Sequence, residues 1–171
     1  MKKLLPIAVA CCLSVICLTE TTQSSASTNR LVGLWKLVRI EVKHPNGTTT
    51  ADPDFGPHAA GYISYDQTGH VSVQIMNPDL PKWQDEDHPT AAEALATVEH
   101  GFSAYAGTYE VHQGEGYVVH RPEIALAPNY VGQTWKRRFT VEGRLLRLTP
   151  PAFKSVSGEL LDETLVWERV R

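Results

Sequence analysis

Cysteine is scarce in this 171-residue sequence and confined to one corner: Cys11, Cys12 and Cys17, with none afterwards. Everything beyond that corner lacks a disulfide, a thiol nucleophile and a cysteine-based metal site. The seven histidines form no His-x-His and no His-Glu-x-x-His pair, so no metal centre is expected. The acidic run Asp85-Glu86-Asp87-His88 reads as a solvated loop. A Gly-x-Ser-x-Gly elbow is missing, and Gly101-Phe102-Ser103 falls on an expected helix, which leaves serine nucleophile chemistry without support. Gly114-Glu115-Gly116 is a hairpin turn and not a phosphate cradle. No cofactor is implied. Basic clusters are also few. Only Lys136-Arg137-Arg138 stands out in a chain of formal charge −3, which argues against nucleic acid as a partner. No apolar run reaches the roughly 20 residues that a membrane span needs.

The apolar length that exists lies at the start. Met1-Lys2-Lys3 is a basic opening, residues 4–18 are mostly apolar, and Ser24-Ser25-Ala26 is a small-residue cleavage pattern. That is the layout of a signal peptide over residues 1–26, cut after Ala26 and directing the chain to a secreted or periplasmic location. A membrane anchor is disfavoured by the shortness of the run. Lipid attachment at Cys11, after Ala8-Val9-Ala10, is the weaker alternative. Cleavage removes two lysines and one glutamate, leaving a charge of about −4. With 42% hydrophobic and 20% charged residues, residues 27–171 can form one sizeable core.

Most of that domain has a period of two. Strands are expected over 34–42, 61–65, 70–76, 108–112, 117–126, 133–141, 144–149 and 164–170, with a short returning strand at 48–50. Pro45-Asn46-Gly47 is a hairpin signal. Thr90-Ala91-Ala92-Glu93 is a capping box opening a helix that runs to about Ala104. About eight antiparallel strands joined by tight turns suffice to close an up-and-down barrel, with the helix between the third and fourth strands. A two-sheet sandwich is the structural alternative.

Several residues carry a resemblance. Gly33-Leu34-Trp35 opens the first strand, followed in order by Phe55-Gly56-Pro57, Gly61-Tyr62, Pro128-Asn129 with Gly132, Arg138-Phe139, Leu146 with Leu148, Pro150-Pro151 and Leu165-Val166-Trp167-Glu168-Arg169. Together they resemble the bacterial and fungal lipocalin-like domain family of the calycin superfamily, over nearly all of residues 31–170. The resemblance implies a barrel whose Trp35 plugs one end, with Arg169 stacked on the indole. It brings no catalytic residues with it.

Alternation nominates a site. Trp135, Arg137, Phe139 and Val141 share one strand face, and two aromatics with a valine mark it as the interior. Arg137 must then point inward too, to meet either a ligand or a carboxylate such as Glu123. His120 shares a face with Val118, and Glu123 takes the other face unless a bulge at Arg121-Pro122 resets the register. Tyr62 and Tyr109 are further candidates for the lining, as are Tyr65 and Tyr105. The favoured partner is a small hydrophobic or amphipathic molecule inside the barrel. An isomerase or cyclase of the same fold, or a structural module with a filled core, are the alternatives. Catalytic residues, oligomeric state and the use of the Asn46-Gly47-Thr48 glycosylation sequon stay open.

Overall fold

The computed structural model describes residues 29–155 and 158–171. The expected signal peptide lies outside the described residues. The chain order is β1 (Gly33–Lys43), β2 (Thr49–Ala51), β3 (Ala60–Tyr65), β4 (His70–Met76), α1 (Ala91–His100), β5 (Phe102–His112), β6 (Tyr117–Ala125), β7 (Trp135–Glu142), β8 (Leu145–Thr149), β9 (Phe153–Lys154) and β10 (Leu160–Arg169). Antiparallel neighbours run β1-β3-β4-β5-β6-β7-β8-β10, and β10 pairs back onto β1. Eight strands therefore close a ring, which excludes the sandwich and removes the open edges that a free sheet must protect. The short strands β2 and β9 attach to β1 and β10.

Alternation divides each strand between core and solvent. Trp35 and Leu37 face inward on β1, and a bulge then exposes both Val38 and Arg39 before Ile40 and Val42 return to the core. Without that extra residue the second half of β1 would present its charges inward. Outside, Arg147 and Arg39 both reach Glu41, and the three cover the buried Val166 paired between Arg39 and Arg147.

Three expectations need correction. The helix stops at His100, because the Gly101 N–H closes its last turn on Thr97 O and Phe102 pairs with Met76. Ser103 is consequently on β5, which starts six residues earlier than 108. Alanine content favoured a longer helix, and pairing with β4 overrode it. The helix also follows the fourth strand and not the third, since Thr49–Ala51 pairs with β1 and takes second place in the order. Finally, β10 starts at Leu160 and not at 164, which brings Glu163 into the barrel wall. α1 buries no residue. Its start rests on the capping box, in which Thr90 Oγ1 accepts from the Glu93 N–H and Glu93 accepts from the Thr90 N–H at 2.8 Å. Among the described residues, no helix is long and apolar enough to cross a membrane.

Candidate functional site

The two ends of the ring differ. Where β1 begins and β10 ends, residues 29–32 fold across the opening. Gly33 takes φ +132°, and an added Cβ would sit 2.5 Å from the Arg169 guanidinium, so only glycine fits. Trp35 is fully buried and donates its indole N–H to Leu31 O at 2.8 Å. Arg169 lies 4.0 Å over the Trp35 ring and donates to Val32 O and Arg30 O, both at 2.6 Å. Tyr109 accepts from Asn29 and donates to Asp66 O at 2.7 Å.

The opposite end carries the longer loops. Asp54, Phe55, Val98, Phe102, Leu126 and Tyr130 line a recess of about 160 Å³ there. From it an aromatic series leads inward. Tyr130 meets Trp135 edge to face with ring centres 5.0 Å apart, and Trp135 meets Tyr105 in the same way at 5.1 Å. Tyr105 Oη then lies 2.8 Å from His120 Nδ1, while Tyr65 Oη lies 2.9 Å from His120 Nε2. The imidazole is fully buried between its two tyrosines. Burial, with the Arg137 charge adding to it, holds the His120 pKa well below its ordinary value, so the ring is neutral near pH 7. Burial likewise pushes the Tyr65 and Tyr105 hydroxyls up, so both stay protonated.

On β7 the inward residues Trp135, Arg137, Phe139 and Val141 are all half-buried, whereas those of β3 and β4 (Ile63, Tyr65, Val71, Val73, Ile75) are closed off. Burial is therefore less complete along β7. Arg137 sits there with its guanidinium 5.0 Å from the Trp135 ring. Among the described residues no carboxylate comes within ion-pair distance of it, and no side-chain hydrogen bond engages it. The Glu123 partner considered from the sequence is not made. A bulge falls at Glu123 itself, as Gly107 pairs with Pro122 and Ala106 with Ile124, and Glu123 stays exposed. Gly107 permits this close approach, because a Cβ there would collide with Arg121 O.

Glu163 faces inward two residues before Leu165. Burial first, then the neighbouring Asp52 charge, raises its pKa to about 7, with Arg137 pulling the other way. Asp52 is buried nearby and accepts from the Asp54 and Phe55 N–H groups. Trp167 is buried one turn of the pleat further along, and its indole N–H has no partner.

Of the residues nominated from the sequence, His120, Trp135, Arg137 and Phe139 share the interior. Tyr62 does not. On β3 it alternates with Ile63 and Tyr65, so it points outward and is 45% exposed. Tyr109 is inward, but its hydroxyl is consumed at the closed end. Glu163 was missed although the signal was available: an inward Leu165 and Trp167 imply an inward residue at 163 once the strand is extended. Among the described residues no group of histidine, cysteine, aspartate and glutamate is arranged to hold a metal ion.

A family model described as lipocalin-like domain matches residues 32–170. The 4'-hydroxy-3'-methoxypropiophenone carrier protein of Aspergillus oryzae is 25% identical over 107 residues, covering 58% of this chain and 96% of that protein. A lipocalin-like protein of Bacteroides uniformis, known from a crystal structure, aligns over 82% of this chain and 98% of its own, at 13% identity and a TM-score of 0.43.

Proposed function

The chain belongs to the lipocalin-like domain family, and on that footing we propose that it is a carrier holding a small hydrophobic or amphipathic molecule inside the barrel. One observation carries the reading. Arg137, half-buried beside Trp135, has no carboxylate within ion-pair distance among the described residues, Glu163 being near enough only for its charge to be felt, and a guanidinium so placed gains from a partner that a ligand can supply. Trp135 and Phe139 offer apolar walls beside it, and the Tyr130–Trp135–Tyr105 series links the recess to His120 by ring contacts. Few convergent polar groups in an apolar enclosure is the usual make-up of a ligand pocket. The ligand of the similar carrier protein supplies a first probe, an aromatic ketone.

Native mass spectrometry of the purified protein should reveal a bound small molecule. Titration with 4'-hydroxy-3'-methoxypropiophenone, followed by tryptophan fluorescence, should saturate at one site per chain. Arg137→Met and His120→Ala should each weaken binding about ten-fold. Unchanged affinity in both variants removes these residues from the site, and no saturable ligand at all removes the carrier reading.

A second reading, an isomerase or cyclase of the same fold, is favoured by Glu163. A partly buried carboxyl whose pKa is raised to about 7 suits general acid/base work. Chemical change in the released ligand would favour it over carriage.

The carrier would act outside the cytoplasm, after removal of residues 1–26. The secreted protein should begin within two residues of Ser27 by mass, and lipid on Cys11 would overturn that.

A further inference from the structure

The buried contacts of His120 contain one hydrogen more than they use. A neutral imidazole has one N–H and one bare nitrogen, and each tyrosine brings one hydroxyl hydrogen. Three hydrogens are thus available to two contacts, Tyr65–His120 and Tyr105–His120. Whichever tautomer the ring adopts, one tyrosine accepts from the ring N–H and keeps its own hydrogen. Neither hydroxyl has a second partner among the described residues. All three side chains are more than nine-tenths buried, where an unmet donor costs free energy.

The surroundings add donors and hardly an acceptor. Arg137, beside Trp135, only donates. Asp52 accepts two backbone N–H groups on one oxygen, Oδ1. Glu163 is the remaining inward carboxyl.

We infer that this interior is built to receive an oxygen that only accepts, a carbonyl on an aromatic or otherwise flat apolar molecule, and that the Tyr105 hydroxyl donates to it. The choice of Tyr105 follows from position. Its ring touches Trp135 on the less completely buried β7 side, whereas Tyr65 packs against Tyr109 towards the closed end, with ring centres 4.9 Å apart. The matching tautomer carries its hydrogen on Nδ1, donates to Tyr105, and accepts from Tyr65 at Nε2. Arg137, near enough for its charge to act on the Tyr105 hydroxyl, adds positive charge that favours an electron-rich oxygen there. A ligand with a hydroxyl in that place would bring a hydrogen of its own and leave it unmet, so the site discriminates by hydrogen count as well as by shape.

The inference rests on the carrier reading and is separable from it with three probes of one size: propiophenone, 1-phenylpropan-1-ol and propylbenzene. The wild-type protein should bind the ketone about ten-fold more tightly than either other probe. Tyr105→Phe should bring the three affinities together, Tyr65→Phe should preserve the ratio, and circular dichroism should show both variants folded. The ketone C=O stretch should move to lower frequency on binding the wild type and not on binding Tyr105→Phe. The His120 nitrogen shifts in the empty protein should report the Nδ1–H tautomer. Equal affinities for all three probes in the wild type overturn the inference and leave the carrier reading standing. A ratio that survives Tyr105→Phe, or an Nε2–H ring, also overturns it. Failure of every probe to bind overturns both.

Discussion

The plugged end of this barrel and the level of His120 and Arg137 are made of similar residues used in opposite ways. At the plug, Trp35, Arg169, Tyr109 and Asn29 present strong donors, and each donor meets an acceptor within the chain. At the His120 level an arginine and a tyrosine hydroxyl also face inward, yet among the described residues neither the Arg137 guanidinium nor the spare hydroxyl hydrogen has a hydrogen-bond acceptor. Both levels pair an arginine with a tryptophan, at 4.0 Å for Arg169 and 5.0 Å for Arg137. What separates them is the hydrogen-bond count. A balanced set holds a fold together, while a surplus of one kind is stable only if something outside the chain completes it.

Four changes put weight on that contrast. Trp35→Ala should have the largest effect, because it empties the plug and orphans Leu31 O and the Arg169 face together. A loss of about 3–5 kcal/mol in urea unfolding is expected, and a loss under 1 kcal/mol would mean the end is not a structural unit.

Glu163→Gln comes next and depends on pH. The folded-state pKa is raised from 4.5 to about 7, so the favourable contribution of protonated Glu163 is complete below pH 4.5 and lost as pH rises through 7. Glutamine stays neutral, so the variant should be more stable than wild type by up to about 3 kcal/mol at pH 8 and equal to it at pH 4. His120 runs the other way. Its folded pKa is lowered, so its contribution is present above about pH 6.5 and lost as pH falls below it. The two partly cancel in the wild type, and Glu163→Gln should unmask a steeper loss on acidification. A pH-independent difference between the two proteins would contradict this account.

Arg169→Met should cost about 2 kcal/mol, from two charge-assisted hydrogen bonds and the stacked guanidinium at a half-buried position. Arg137→Met, nominally the same change in the other region, should leave stability within about 0.5 kcal/mol, since no ion-paired carboxylate among the described residues is stranded. Equal costs for the two would erase the distinction between plug and site.

Some of this was legible in the residues themselves. Alternation from Phe139 back to Arg137 and Trp135 is a property of any extended strand, so their shared face follows from the chain alone. The capping box at Thr90 and the Asn46-Gly47 turn are likewise short-range. Tyr62 faces outward because it alternates with the buried Ile63 and Tyr65, and alternation is a stronger guide to facing than aromatic character. The helix end was misjudged because alanines at 104 and 106 suit a helix until β4 offers them a partner strand.

Local chemistry, then, determined the meander: turns, period and the Gly-x-Trp start are written within a few residues of where they act. Only the tertiary structure decided the rest. Closure joins Trp35 to Arg169 across almost the whole domain, the bulges at Val38 and Glu123 set which later residues face inward, and His120 meets tyrosines 55 and 15 residues away. A surplus of one hydrogen is a property of three side chains counted together, and no single strand carries that count.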